Sequence, residues 1–278
     1  MGDVQRTILA ALIAGCLLAC AQLAVATAEP QSAADPRVAE LARADLARAG
    51  KVRVGLFLPR FIKDPATGQL RSVWVETARA FAAHLGVQLD VVEHATPPEA
   101  IACLKAGACD VMFLPLDARA AAIGDFSNPI FQFDYTLLVP AGLSIVRIAD
   151  ADRPGVRIAA VRNHASTIEL SNQLKQAELV YAETPDSTFD LLRTGQAQVM
   201  ASTRLALLDF SDRLPGSRVL EDRYGANINR MVVPKGKADW LAYVSEFVEN
   251  AKASGLVQKA IECGGTRGVT PAPPGNSN

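Results

Sequence analysis

The chain has 278 residues, half of them hydrophobic, and its 28 basic and 29 acidic side chains leave a formal net charge of −1. A chain of this length can bury a full hydrophobic core and has room for one large domain or two lobes. The near-zero charge, with acids and bases mixed along the chain, excludes a nucleic-acid surface, because such a surface needs a clustered basic excess.

The first 28 residues are typical of an export segment. Residues 7–28 carry no charge and end in Ala26-Thr27-Ala28, which matches the small-residue cleavage site of a secretory signal peptide. We therefore expect the chain to be exported and cleaved near Ala28. Two alternatives stay open: lipidation at Cys16, because residues 13–16 resemble a lipobox, and an uncleaved anchor, because about 22 apolar residues can cross a bilayer.

Of the five cysteines, Cys103, Cys109 and Cys263 lie beyond the export segment. Export permits disulfides. Cys103 falls late in a predicted helix and Cys109 at the start of the next strand, so a bridge across that turn is plausible if the two Cα atoms are close enough. We expect no zinc site, because no histidine or second close cysteine pair completes a ligand set.

Short strands and helices alternate from residue 51 onward, the pattern of an α/β fold around a largely parallel sheet. After a strand at 51–57, Ser72 is a predicted N-cap and Gly86 a predicted helix stop. The helix between them carries one apolar stripe. The next predicted elements are a strand at 87–93, a helix that begins at Pro97, a strand at 109–114 and a long strand at 130–140.

A second, similar series follows and predicts a second lobe. Its elements are a strand at 156–162, a helix from about 165, a strand at 177–183, a helix at 186–194 and a strand at 197–202. An extended segment at 227–236 then precedes two amphipathic helices, at 237–252 and 255–262, and can return the chain to the first lobe. Residues 264–278 are rich in Gly and Pro, and we expect them to be disordered.

Several blocks of the sequence resemble, in order and spacing, the solute-binding proteins of family 3, the periplasmic receptors of amino-acid-type ABC importers. The match runs from about residue 50 to 262. The blocks are Gly55 to Phe61, SVWVETARAFAAHLGV, LKAGACDV, DFSNP, ADRPGVRIAAVRNHAS and LLRTGQAQVMAST.

The resemblance implies a type II periplasmic binding protein, in which two α/β lobes hold a small solute between them. Each lobe would have a central sheet flanked by helices, and two extended crossings at 136–140 and 231–234 would form the hinge. A solute that contacts both lobes favours their closed state. The implied boundaries are 1–28 for the signal peptide, 29–139 and 233–263 for lobe 1, and 140–232 for lobe 2.

The resemblance also implies a location and partners. We expect a periplasmic monomer with an inner-membrane ABC permease as its partner and no cofactor. The solute would be a small organic anion, either a carboxylate or an amino-acid-like molecule.

Polar residues crowd at the start of the helix near residue 165. A helix N-terminus has unpaired N–H groups and a partial positive charge, so it can accept an anion. We interpret this segment as a carboxylate site; the alternative is that Asn163 or Ser166 only caps the helix. The candidate residues are Asn163, His164, Ala165, Ser166 and Thr167.

The resemblance assigns a carboxylate-binding arginine to the segment between the strand at 109–114 and DFSNP. Arg119 is the candidate, since its planar fork can bond two oxygens at once. The family carries a Thr-x-x-Arg motif in this segment. Leu116 and Asp117 replace its hydroxyl residue and the approach to the arginine, so the match is imperfect. The alternative is a surface arginine that pairs with Asp117 or Asp125.

The position at which the family places an aspartate for the ligand's α-ammonium is Thr203, beside Ser202. An ammonium without a carboxylate partner there costs several kcal/mol if it is buried. We therefore favour an acid without an α-amino group, although Asp64, Asp117, Glu221 or Asp222 could supply the charge. Arg60 and Phe61, after the first strand, would form a wall of the site, or Phe61 could simply pack in the core.

Two other functions stay open. Catalysis needs a poised base or nucleophile, and of the three histidines His84 ends a helix, His94 lies in a predicted loop and only His164 falls in the predicted cleft. We expect no enzyme activity. The second alternative is an accessory protein of a periplasmic oxidoreductase, because GACDV resembles a stretch of such proteins.

Overall fold

A computed structural model of the chain describes residues 36–47, 49–58, 60–64, 67–116 and 122–275. The expected export segment at 1–28, with its lipidation site at Cys16, lies outside the described residues. No helix within the described ranges is long and apolar enough to cross a membrane.

The described chain contains strands and helices in the alternating order expected of an α/β fold. The strands are β1 (Lys51–Phe57), β2 (Ile62–Lys63), β3 (Leu70–Arg71), β4 (Gln88–His94), β5 (Val111–Pro115), β6 (Gly124–Val139), β7 (Arg157–Val161), β8 (Glu178–Ala182), β9 (Val199–Thr203), β10 (Arg218–Val219), β11 (Gly225–Pro234) and β12 (Val269–Pro271). The helices are α1 (Pro36–Ala47), α2 (Val73–Leu85), α3 (Pro97–Lys105), α4 (Ile148–Ala151), α5 (Ala165–Ser171), α6 (Pro185–Arg193), α7 (Arg204–Asp212), α8 (Ala238–Ala253) and α9 (Leu256–Gly264).

Local sequence signals explain where α2 begins and ends. The Ser72 hydroxyl accepts a hydrogen bond from the Val75 N–H at 3.2 Å, as an N-cap does. Gly86 ends the helix with φ of 74°, a left-handed conformation that glycine adopts without steric cost. Both predicted caps are confirmed. The apolar stripe of α2 is buried, with Phe81 fully inaccessible to solvent.

The chain divides into two compact units. Unit 1 contains residues 36–130, 229–265 and 271–275, and unit 2 contains residues 131–228 and 266–270, counting only the described part of each. The first passage between them lies between residues 130 and 131, within β6, and the second lies between 228 and 229, within β11.

In unit 1, the strand order is β4, β1, β5 and β11. β1 runs parallel to β4 and β5, whereas β11 runs antiparallel to β5. Helix α2 packs against α9, and α1 packs against α8. The fold class is confirmed as α/β, but the sheet is mixed rather than largely parallel, because the long strands return the chain in the opposite direction.

In unit 2, β6 is followed in the sheet by β9, β7 and β8. β7 pairs in parallel with β8 and β9, and β9 pairs antiparallel with β6. Buried apolar side chains cover both faces of this sheet, in one cluster around Leu137 and Ile158 and another around Phe189 and Met200.

The expected disulfide is confirmed. Cys103 and Cys109 are bonded, with their Cα atoms 5.3 Å apart. The separation suits a bridge, and it arises because the chain turns directly from the end of α3 into β5. The bridge therefore closes the turn between these two elements of unit 1.

The segment after residue 263 differs from the expectation of disorder. Residues 269–271 form β12, which pairs with β6, and Ala272 is 3% exposed. Arg267 forms ion pairs with Asp209 at 2.8 Å and Asp212 at 2.7 Å. The prediction of disorder is wrong for these residues, because a few anchoring side chains are enough to hold a Gly- and Pro-rich segment in place.

Candidate functional site

The loop after β1 places one arginine against aromatic rings in unit 1. The Arg60 guanidinium carbon lies 4.4 Å from the ring centroid of Phe57 and 5.3 Å from that of Trp74. Its Nη1 donates to the Phe113 carbonyl at 2.6 Å and to Asn229 Oδ1 at 3.2 Å. The Trp74 indole N–H donates to the same Asn229 oxygen at 3.4 Å. Arg60 is therefore held by packing and by neutral acceptors.

The charge of Arg60 has no counter-charge in the described part of the chain. No carboxylate among the described residues lies within ion-pair distance of its guanidinium. Burial lowers the pKa of Arg60 to about 9, because removal from water disfavours the charged form. The side chain still carries its charge at neutral pH, so its position suits contact with an anion.

The other predicted residues of unit 1 divide into three groups. Phe61 is 7% exposed, which favours its alternative role in the core. Leu116 is 50% exposed and follows β5 directly. Arg119 and Asp117 lie outside the described residues, and their predicted roles stay predictions.

In unit 2, the predicted anion-binding segment does begin a helix. Asn163 has φ of 58°, a left-handed conformation that asparagine tolerates better than most residues. This residue turns the chain from β7 into α5. The N-cap is His164, not Asn163 or Ser166, and its side chain makes no capping bond.

Side chains at the start of α5 mostly bond to one another and to nearby backbone. His164 Nδ1 is 2.8 Å from Ser166 Oγ, and Thr167 Oγ1 donates to the Val161 carbonyl at 2.8 Å. Ser166 and Thr167 are buried, at 1% and 3% exposure. The backbone N–H groups of Ala165 and Ser166 have no partner among the described residues. These two N–H groups are the donors that α5 can offer.

Burial lowers the pKa of His164, because the imidazolium form loses hydration. The lowered pKa favours the neutral form of the ring. In that form His164 can contribute a hydrogen bond to an anion but no positive charge. Helix α5 has seven residues, so its dipole adds only the effect of its first turn.

Two buried tyrosines near α5 were not identified from the sequence. The rings of Tyr135 and Tyr224 lie 5.9 Å apart, and the Tyr224 hydroxyl makes no hydrogen bond within the described part of the chain. Burial raises the pKa of Tyr224, and the nearby Ser166 hydroxyl acts in the opposite direction. The Tyr224-Gly225 pair at the start of β11 was the available signal, because glycine permits close approach: a Cβ on Gly225 would lie 3.1 Å from the Tyr135 ring.

Ser202 and Thr203 lie at the end of β9, against which α5 packs. Ser202 is 7% exposed. The Thr203 hydroxyl accepts from the Ala206 N–H at 3.3 Å, so it caps α7. This capping role explains Thr203 without a ligand.

Carboxylates of unit 2 near Thr203 already have basic or N–H partners. Asp134, next to the strand partner of Thr203, pairs with Arg204 at 3.5 Å and Arg223 at 3.0 Å. Asp222 accepts from the Ile148 N–H at 3.0 Å. These acids are therefore occupied by internal contacts.

The sequence profile of the bacterial extracellular solute-binding proteins, family 3, matches residues 58–262. The chain belongs to this family. The match covers most of the residues in both units, and it confirms the resemblance found in the sequence. A search of curated protein sequences finds no match for this family 3 protein.

Solved structures similar to this family 3 protein share its fold at low sequence identity. An ancestral cationic amino-acid solute-binding protein is 22% identical, with a TM-score of 0.64 over 79% of this chain and 97% of that one. A binding component of an ABC transporter from Wolinella succinogenes, complexed with lysine, is 21% identical, with a TM-score of 0.61 over 77% and 94%. An ancestral cyclohexadienyl dehydratase is 22% identical, with a TM-score of 0.58 over 85% and 97%.

Proposed function

We propose that this family 3 protein is a periplasmic receptor that binds a small organic carboxylate and delivers it to an inner-membrane ABC permease. The observation that carries the proposal is the Arg60 guanidinium, which is partly buried against Phe57 and Trp74 and has no carboxylate partner in the described part of the chain. A cation that loses water without gaining a counter-charge is destabilised. A bound carboxylate offsets that cost, so the site favours an anion.

The donor geometry of Arg60 also supports a carboxylate. Among the residues that the structure describes, only Nη1 donates to protein acceptors, the Phe113 carbonyl and Asn229 Oδ1. The guanidinium has five N–H donors in a planar fork, so donors remain for the two oxygens of one carboxylate. Leu58 and Leu116, each 50% exposed, would offer apolar contact to the rest of the solute.

Unit 2 supplies a second set of candidate groups. Within the described ranges, the N–H groups of Ala165 and Ser166 have no backbone partner and the Tyr224 hydroxyl, beside Ser166, makes no hydrogen bond. These donors suit a second polar group of the solute. We include Asn163, His164, Thr167, Ser202 and Thr203 as lining residues, and Arg119 and Asp117 keep their predicted roles. The family's two-lobe mode of binding stays part of the proposal.

The proposed solute lacks an α-ammonium group. Thr203 has no negative charge, and Asp134 is neutralised by Arg204 and Arg223. Of the other acids considered, Asp222 accepts backbone N–H groups and the Glu221 side chain is fully exposed. Asp134, Glu221 and Asp222 each already have a basic or N–H partner that competes with the ammonium of an amino acid.

Isothermal titration of the purified chain with succinate, benzoate, L-lysine and L-cysteine tests the proposal. We expect succinate or benzoate to bind and the two amino acids to bind at least tenfold more weakly. Arg60→Met should abolish most of this binding, because it removes the charge and keeps the apolar stem. Arg71→Met, at an exposed arginine of the same unit, is the matched control and should bind like the wild type.

Two results would contradict the proposal. One is a carboxylate affinity that Arg60→Met leaves unchanged; the other is binding of the amino acids alone. The same samples test the catalytic alternative, since the acids should be recovered chemically unchanged after incubation. Co-purification of a stable oxidoreductase partner, with no response to any acid, would instead favour the accessory-protein alternative.

A further inference from the structure

A histidine and two cysteines from three different segments meet in unit 1, away from Arg60. His94 ends β4, Cys103 lies near the end of α3, and Cys109 precedes β5. One ligand atom from each lies within 4.8 Å of the others. His94 Nε2 is 3.9 Å from Cys109 Sγ. His94 is predicted to lie in a loop, whereas it is the last residue of β4, so the sequence pattern does not reveal this cluster.

The sheet explains why His94 reaches Cys109 across an intervening strand. β1 lies between β4 and β5, and His94 pairs with Phe57 in the register of β4 and β1. Gly55 is two residues before Phe57 and so faces the same side of the sheet. A Cβ on Gly55 would lie 3.0 Å from Cys109 Sγ. The missing side chain therefore leaves the space in which the sulfur approaches the imidazole.

The separation of these atoms matches that of two ligands on one metal ion. With metal–sulfur and metal–nitrogen distances of about 2.3 and 2.0 Å, a trigonal site separates the two ligand atoms by about 3.7 Å. The observed Nε2 to Sγ distance is 3.9 Å. The two sulfur atoms are too close to each other to bind one metal ion together, because they are joined as a disulfide.

The ligand set selects the ion. Two thiolates and one imidazole are soft to borderline ligands, which favour Cu⁺ or Zn²⁺. Structural Zn²⁺ takes four ligands, and among the described residues no fourth His, Cys, Asp or Glu joins this group. Three ligands suit Cu⁺ better, since it accepts a three-coordinate thiolate site.

We propose that His94, Cys103 and Cys109 bind one Cu⁺ ion when the disulfide is reduced. Two equivalents of a thiol reductant transfer two electrons to the disulfide, which yields two cysteine thiols and one disulfide of the reductant. Cu⁺ then displaces the two thiol protons and binds both sulfurs and His94 Nε2. A small-molecule disulfide that accepts the two electrons, and becomes two thiols by taking up two protons, restores the bridge and releases the ion. The site therefore exists in one redox state only.

The surroundings permit this chemistry. Cys103 is 8% exposed whereas Cys109 is fully buried, so a thiolate attacks Cys103 and Cys109 is the leaving group. A surface cavity of about 380 Å³ borders Cys109 and residues 104–107 of the turn that the disulfide closes. A small thiol reductant can approach the bridge through this cavity.

The test measures Cu⁺ binding by competition with the chromophoric chelator bicinchoninate under anaerobic conditions. It uses the full chain with Cys16, Cys20 and Cys263 replaced by alanine, so that reduction produces only the two thiols of the site. We expect one Cu⁺ per reduced chain and none per oxidised chain. His94→Gln should weaken binding at least tenfold, and His84→Gln, at the other histidine of unit 1 in α2, should have no effect.

Each outcome decides for or against the site. Wild-type affinity in His94→Gln would show that the thiols bind Cu⁺ without the imidazole, and it would overturn the proposal. Absence of Cu⁺ from the reduced chain would overturn it as well, provided that circular dichroism shows the reduced chain to be folded. One Zn²⁺ bound per reduced chain, without Cu⁺ binding, would overturn the choice of ion. None of these results depends on the proposed carboxylate site.

Discussion

Arg60 and Trp74 both donate to the side-chain oxygen of Asn229, at 3.2 and 3.4 Å, while the guanidinium lies over the indole ring. A neutral amide thus occupies the position at which an ion pair would place a carboxylate. The contact keeps the positive charge of Arg60 available and fixes its orientation at the same time.

Asn229→Asp should weaken anion binding at the proposed Arg60 site. The new carboxylate lies next to Arg60 and neutralises it, so the affinity for succinate or benzoate should fall at least tenfold, about 1.4 kcal/mol. Titration calorimetry measures the change. Asn250→Asp, on an exposed position of α8, adds the same charge elsewhere in unit 1 and should leave affinity unchanged; equal losses in both variants would point to a nonspecific effect of net charge.

Gly55→Ala should destabilise unit 1 by about 1–2 kcal/mol, because the added methyl meets Cys109 Sγ at 3.0 Å. Urea unfolding measures the loss. In a chain that also carries Cys103→Ala and Cys109→Ala the sulfur is gone, and the same substitution should cost less. A coupling below about 0.3 kcal/mol in this double-mutant cycle would show that the two sites are independent.

Gly264→Ala should separate α9 from the start of α2. A Cβ at this position would lie 2.4 Å from the Ser72 carbonyl carbon and 2.5 Å from the Val73 nitrogen, and backbone atoms cannot move aside as a side chain can. We expect a loss of about 2–3 kcal/mol in unfolding free energy, read from thermal or urea denaturation. Gln258→Ala, at an exposed position of the same helix, should change stability by less than about 0.5 kcal/mol.

Asp152→Asn should weaken unit 2 at neutral pH and have little effect in acid. The Asp152 carboxylate accepts the N–H groups of Lys175, Gln176 and Ala177 at 2.8 to 3.1 Å. These bonds, with that of Ala177 foremost, lower the pKa of Asp152 below its ordinary value of 3.8. Hydrogen bonds to a charged group contribute about 1–2 kcal/mol, so we expect a loss of that size at pH 7.

The sign of the pH effect follows from the lowered pKa of Asp152. The folded state binds its proton less readily than the unfolded state, so the stabilisation is fully present above about pH 4 and is lost as pH falls through the folded pKa. Unfolding curves of wild type and variant should therefore converge below pH 4. Asp190→Asn, at an exposed carboxylate that pairs with Arg193, is the control. A difference for Asp152→Asn that stays constant with pH would contradict the explanation.

Much of the fold could be predicted because its signals are local. The Ser72 hydroxyl caps the start of α2, Gly86 ends the helix in a left-handed conformation, and the alternation of strands and helices indicates the α/β class. The disulfide could also be expected, because Cys103 and Cys109 are close in sequence. The prediction of disorder for residues 264–275 is wrong. Arg267 and Ala272 anchor this segment, although its composition suggests disorder.

The candidate site could be predicted only in part, because it depends on contacts between distant residues. Asn229 lies 169 positions after Arg60, and no periodicity in the sequence connects them. The predicted apolar stripe of α2 does not reveal that the Trp74 indole N–H donates to Asn229. In the same way, Tyr224 and His94 gained their importance from neighbours that the sheet supplies.

The order of the two units along the chain has a consequence for synthesis on the ribosome. Strand β5 pairs with β11, which follows the main segment of unit 2 in sequence. Nearly all of unit 2 is therefore translated before unit 1 receives its last strand, although unit 1 begins first. Until residue 234 has emerged, the nascent chain carries the β5 edge unpaired, and such edges promote association with other chains.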